Sequence, residues 1–119
     1  MADLTIQEIV EAGLAAAYAG ADGAGDAVLN INGDVVVHVK NGDVASKTVT
    51  VTAQRTSQKV AAFGELSKSD IQVSIPAGED RFIGPFPKAA FNDGAGKVQV
   101  TYSATTSVEI AALRVPKAA

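Results

Sequence analysis

The sequence predicts an all-β domain: a two-sheet antiparallel β-sandwich with jelly-roll or Greek-key-like connections and a short helical or extended N-terminal arm. Three observations carry that reading. Val, Ile and Thr together number 30 against 5 Leu, and β-branched side chains lose rotamer freedom in helices but pack well on a pleated surface. From residue 34 onward, short segments alternate apolar and polar residues, as strands with one buried face do. Clusters of Gly, Pro, Asn and Asp separate these segments, and some separations are too long for tight hairpins. With 119 residues the chain has the length of one domain with one core. It divides into an arm (1–21), a sandwich (22–115) and a C-terminal tail (116–119).

In the arm, Thr5 and Glu8 have capping-box spacing. Ile6, Ile9, Val10, Gly13, Leu14 and Ala17 recur at helical spacing. Gly13 weakens such a helix by about 1 kcal/mol relative to Ala. A short helix or turn is expected over Thr5–Ala12, then an extended arm through Leu14 and Tyr18. Residues 20–34 are rich in Gly, Asp and Asn and predict a loop, with a short strand at Val28–Ile31.

Alternation begins at Asp34–Lys40, where Val35, Val37 and Val39 share one face and Val36, His38 and Lys40 the other. Asn41-Gly42-Asp43 is a turn signal. Lys47–Ala53 alternates Val49, Val51 and Ala53 with Thr48, Thr50 and Thr52, so a hairpin of these two strands is expected. Gln54–Ser69 is polar, with Phe63 and Leu66 as anchors, and is expected to cross between sheets. Asp70–Ile75 sets Ile71, Val73 and Ile75 inward and Gln72 and Ser74 outward. After the turn Pro76-Ala77-Gly78, a strand at Glu79–Ile83 is closed by Gly84-Pro85-Phe86-Pro87, which cannot continue a sheet interior. A second turn cluster spans residues 91–96. Lys97–Ser103 then opposes Val98, Val100 and Tyr102 to Gln99, Thr101 and Ser103. The last strand carries Val108, Ile110 and Ala112 on one face and Glu109, Ala111 and Leu113 on the other. Pro116 ends it, and the tail is expected to fray.

Composition removes most chemistry. The chain has no Cys, so it holds no thiol nucleophile, disulfide or zinc-thiolate site. Its single His cannot form a multi-His metal or relay site within one chain. A net charge of -3 gives no basic stripe for nucleic acid. No segment approaches the roughly 20 apolar residues of a membrane span, and the acidic Met1-Ala2-Asp3-Leu4 start does not resemble a signal peptide. A cytoplasmic site of synthesis is expected.

The remaining candidates have bland readings beside them. His38 reads as an ordinary exposed histidine. Asp22, Asp26, Asn30, Asn32 and Asp34 offer oxygen ligands for Ca²⁺. Residues 23–28 echo one unit of a calcium-binding nonapeptide, but that architecture needs tandem units, so a flexible loop is the expectation. Glu79, Asp80 and Arg81 read as a solvated turn with a local ion pair. Gly23-Ala24-Gly25 lacks the Lys-Ser/Thr of a phosphate loop. Phe82, Phe86 and Phe91 are expected in the core, which leaves no aromatic platform for sugars. No enzyme activity, cofactor or metal is expected. The outward residues Thr48, Thr50, Thr52, Gln72, Ser74, Gln99, Thr101 and Ser103 are polar but uncharged, whereas a free monomer usually carries more Lys and Glu. Such faces suit packing against other protein, and suit equally a soluble sandwich of low charge.

Several strings occur in order: Val37-His38-Val39-Lys40-Asn41-Gly42, Ser74-Ile75-Pro76-Ala77-Gly78-Glu79, Phe82-Ile83-Gly84-Pro85-Phe86, Phe91-Asn92-Asp93, Val98-Gln99-Val100-Thr101-Tyr102-Ser103 and Val108-Glu109-Ile110-Ala111-Ala112-Leu113. From about Leu14 to Arg114, this series resembles small structural proteins from the heads of tailed bacteriophages. The resemblance implies a jelly-roll-like sandwich that serves as a capsid decoration or cement protein. It would be a homo-oligomer, with a trimer favoured, seated on the major capsid protein or neighbouring virion proteins. It would act at the virion surface after assembly in the host cytoplasm, with no nucleic-acid or membrane partner. A tail or head–tail joining component and a carbohydrate-binding or adhesin sandwich are the alternatives. The family's arm is extended, whereas Thr5–Ala17 reads as helix-prone here. Ile6, Ile9, Val10, Leu14 and Tyr18 are the candidate contacts to a neighbouring subunit or the capsid, because their apolar surface is costly to leave in water.

Overall fold

The alternating segments build two five-stranded sheets packed face to face. The computed structural model describes residues 2–54, 57–60, 64–67 and 69–115, with backbone alone for 57–60 and 64–67. The strands are β1 (Ala2–Asp3), β2 (Ile6–Glu8), β3 (Ala19–Gly20), β4 (Asp26–Leu29), β5 (Val35–Asn41), β6 (Lys47–Val51), β7 (Ser57–Val60), β8 (Gly64–Ser67), β9 (Ile71–Ile75), β10 (Asp80–Ile83), β11 (Lys97–Tyr102) and β12 (Val108–Arg114), with one helical turn, α1 (Lys88–Phe91). Sheet A runs β1-β4-β11-β6-β9 and sheet B runs β10-β5-β12-β2, with β3 also on β12. Five of the six connections between the longer strands pass from one sheet to the other: β4–β5, β5–β6, β9–β10, β10–β11 and β11–β12.

The inward residues named by alternation form the core. Val28, Val49, Val51, Ile75, Val98 and Val100 of sheet A meet Val35, Val37, Val39, Ile83, Val108, Ile110 and Ala112 of sheet B. Phe86 and Phe91 fill the space beside them edge to face, with centroids 6.0 Å apart. The unforeseen α1 places Phe91 there, directly after the Pro85 and Pro87 that end β10.

Four expectations are corrected. Of the helix or turn expected over Thr5–Ala12, the helix does not form and a turn does, at Val10–Gly13; Ile6–Glu8 is a strand, because the free edge of β12 offers a ladder to β-branched residues that gain little from a single helical turn. The sheets are mixed, since β1 runs parallel to β4 and β2 parallel to β12.

The β5–β6 hairpin does not form: β5 pairs with β10 and β12, β6 with β11 and β9. Asn41 stays in β5 opposite Val108, and Gly42 does not take a positive φ, so the two-residue turn that Asn-Gly favours is absent. Instead the Asn41 side chain builds a corner between sheets. Its Nδ2 donates to the carbonyls of Ala45 (2.9 Å) and Ile75 (3.0 Å), and its Oδ1 accepts from the Asp43 N–H.

Residues 54–69 do not carry the chain across. β6 and β9 are antiparallel neighbours in one sheet, and β7 and β8 form a separate ribbon between them. Asp70 Oδ1 accepts from the Ala53 N–H at 2.7 Å and closes that excursion. Phe63, the Leu66 side chain and residues 116–119 lie outside what is described.

Candidate interaction surfaces

The two outer faces of the sandwich differ. On sheet A, β11, β6 and β9 lie side by side, and register brings their outward residues into rows: Thr101 faces Thr50, which faces Gln72, and Thr48 faces Ser74. Ser103 joins the second row, its Oγ accepting from the Thr48 N–H at 2.9 Å. Gln99 and Thr52 complete the face, and all eight residues singled out in the sequence lie on it. Gln72, Ser74, Thr101 and Ser103 are exposed, and the other four are half-buried. At its margin Gln99 Nε2 donates to Asp93, whose carboxyl is held low first by the Lys97 N–H, then by Gln99 and the Ala95 N–H. These eight residues offer hydroxyl and amide donors and acceptors, and charge is confined to the margin, where Asp93 lies and Lys97 of β11 pairs with Asp3.

On sheet B the arm intervenes. β2 and β3 lie in succession on the edge of β12, at Ala112–Arg114 and Glu109–Ile110. A turn at Val10–Gly13 reverses the chain between them, with Gly13 at φ 97. Gln7 staples the two limbs: its Nε2 donates to the Ala17 carbonyl at 2.7 Å and its Oε1 accepts from the Ala17 N–H at 2.8 Å.

Tyr18 then reaches the outer face. Its hydroxyl lies 2.5 Å from His38 Nδ1, while His38 Nε2 lies 2.6 Å from Asp80 Oδ2. A neutral ring protonated at Nε2 satisfies both contacts, donating to Asp80 and accepting the Tyr18 O–H. Phe82 stacks on the same ring at 3.9 Å and 7°, and Lys40 Nζ sits 3.9 Å from the Tyr18 ring centroid. His38 is therefore not an exposed surface residue; only 6% of it is accessible. Phe82 is not in the core either. It is 66% exposed, because in β10 it shares the outward face with Asp80 while Ile83 points inward. The same two-residue alternation was readable in the sequence. Phe86 and Phe91 are buried as expected.

The five arm candidates separate by burial. Ile6, Leu14 and Tyr18 are half-buried. Ile9 and Val10, at the turn, are 40% and 50% exposed. Between the arm and the sheet edges lies a cavity of about 420 Å³, walled by Leu4, Gln7, Tyr18, Asp26 and Ala111 among others. Asp26 is fully buried there. Its Oδ2 accepts from the Tyr102 hydroxyl at 2.6 Å and from the Asp22 N–H at 3.2 Å. Burial, and then the Asp26 carboxylate, push the Tyr102 phenol well above its ordinary range.

The other polar candidates serve separate partners. In place of the Val28–Ile31 strand, β4 begins at Asp26 and ends at Leu29. Asn30 is buried and donates to the Phe86 carbonyl and Asn92 Oδ1. Asp34 pairs with Arg114. Among the described residues no three His, Cys, Asp or Glu are grouped to hold a metal ion. Arg81 makes the local pair with Glu79, and Asp80 turns to His38 instead. No helix among the described residues is long and apolar enough to cross a membrane.

Comparison with family models, with curated proteins and with solved structures finds no match to this chain.

Proposed function

We propose that this chain is a structural component of a tailed-bacteriophage virion, a capsid decoration or cement protein that works through protein–protein contacts and not catalysis. The uncharged stretch of sheet A's outer face, across β9, β6 and the adjoining part of β11, carries the reading. Covering Thr, Ser and Gln hydroxyls and amides with another protein's donors and acceptors avoids the several kcal/mol per ion that desolvating lysines and glutamates costs. The exposed Ile9 and Val10 give a second contact at the tip of the arm. The ordered strings that resemble phage head proteins supply the partner: the major capsid protein or a neighbouring virion protein, met by a homo-oligomer, trimeric in the decoration role, at the virion surface.

The test uses capsids that lack the protein. Adding the wild-type chain should raise capsid melting temperature. Thr50→Glu/Thr101→Lys places opposite charges face to face across two strands, so the fold is spared while the face becomes costly to desolvate. That variant should bind weakly and raise the melting temperature little. Deleting residues 2–18 is a poorer test, because β1 and β2 complete both sheets; Ile9→Ser/Val10→Ser isolates the arm tip instead. Wild-type protein that leaves capsids unchanged contradicts the reading.

Phe82 favours a second reading, a carbohydrate-binding sandwich. An exposed ring held flat on His38 is a stacking surface for a sugar, with Asp80 and Lys40 nearby. Glycan-array binding that disappears in Phe82→Ala would support it over the virion role.

A further inference from the structure

On the side away from the arm, each sheet ends in a different kind of edge. β10 closes sheet B and β9 closes sheet A. β10 carries Asp80 and Arg81 within four residues and runs into Gly84-Pro85. Charges and a proline are the usual devices that stop an edge from recruiting another strand. β9, Ile71-Gln72-Val73-Ser74-Ile75, has no charge, proline or glycine among its five residues, and Asp70 and Pro76 bound it as Gly84-Pro85 bounds β10. Among the described residues it pairs only with β6, so its outer row of N–H and C=O groups faces away from the sheet.

The apolar–polar pattern of β9 is symmetric about Val73. If two copies meet antiparallel with Val73 opposite Val73, Ile71 of one faces Ile75 of the other and Gln72 faces Ser74. Every pair is then apolar with apolar or polar with polar. Just beyond the strand, Asp70 faces Pro76, so no like charges are opposed. Ile71 and Val73, half-buried in one copy, stay on the core side of the joined sheet. Gln72 and Ser74 stay on the neutral outer side. A twofold contact needs this self-complementarity, because the same patch serves both subunits. A foreign strand would not require it.

We propose that β9 is a homotypic docking edge, through which two copies of this chain pair antiparallel about a twofold axis at Val73 and join two sheets A into one continuous sheet. Main-chain hydrogen bonds supply the attraction, and the symmetric side chains fix the register. The pairing also merges the two neutral faces into one plane. It does not rest on the virion reading, and it is separate from any threefold association, which it would link trimer to trimer.

Sedimentation equilibrium of the full chain over a concentration series, with hydrogen exchange at each concentration, tests this. Residues 71, 73 and 75 already bond β6, so a twofold step in mass is expected with protection of the outward Gln72 and Ser74 amides rising alongside it. Gln72 and Ser74 are exposed, so Gln72→Lys/Ser74→Lys and Gln72→Glu/Ser74→Glu should fold, as thermal melts of each will show. Each variant alone sets like charges opposite one another and should associate at least tenfold more weakly. An equimolar mixture should regain association. The proposal is overturned if the wild type shows no twofold step, if the charged variants associate as it does, or if mixing restores nothing. Protection of the Gln72 and Ser74 amides that does not depend on concentration also overturns it, because the edge is then covered within one chain.

Discussion

The Tyr18 hydroxyl meets His38 Nδ1 at 2.5 Å, and this contact fastens the N-terminal arm to the outer face of sheet B. The residues lie 20 apart in sequence and come from elements of unequal stability. β5, which carries His38, is a central strand, whereas the arm holds to β12 by short ladders. Tyr18→Phe removes one hydrogen bond, a loss of about 1 kcal/mol. Hydrogen exchange and limited proteolysis of residues 9–17 should quicken, with little change in the core. His38→Ala should free the arm further, since it also removes the Asp80 contact and the Phe82 stack.

Alkaline stability should depend on Tyr102. Its folded-state pKa lies above the ordinary 10.0, so the unfolded chain loses this proton first. The stabilisation is complete below about pH 10 and declines as pH rises toward the folded-state value. Thermal melts from pH 9 upward should show a falling limb that Tyr102→Phe flattens. The same substitution should cost about 1–3 kcal/mol at neutral pH, because buried Asp26 loses its best donor.

The acid limb has the opposite sign. Asp43 is held below the usual 3.8 by its hydrogen bond from Lys47 and then by the Val44 N–H, and Asp93 likewise by the Lys97 N–H first. Depressed carboxylates stabilise above their unfolded pKa, and the contribution is lost as pH falls through the folded-state value. Melting temperature should therefore drop below about pH 4, and Asp43→Asn or Asp93→Asn should make that drop shallower.

Phe86 is fully buried in the core and packs on Phe91. Phe86→Ala should lower unfolding free energy by about 3–5 kcal/mol, measured by denaturant titration. Phe82→Ala, at an exposed ring, should lower it far less.

Alternation made the inward residues and the sheet A face legible, because a strand's two-residue period fixes which side chains share a face whatever its partners. It does not fix the partners. Asn41-Gly42 looked like a hairpin, yet the Asn41 side chain binds the end of β9 and turns the chain into the other sheet. The arm misled for a similar reason. Ile6, Ile9 and Val10 fit a helical stripe, but the vacant edge of β12 decides their conformation, and that edge exists only after the sandwich forms. The His38 cluster was illegible because it joins residues 18, 38, 80 and 82 across three elements. Only the outward parity of Phe82 announced it.

Electron cryo-microscopy of assembled phage heads with and without this chain is the sharpest test of the proposed virion role. Ordered density for the sandwich is expected on the outside of the shell, with Thr50, Gln72 and Thr101 turned toward a neighbouring protein and the density absent from heads that lack the chain. Heads of identical structure and identical melting temperature in both preparations would contradict it.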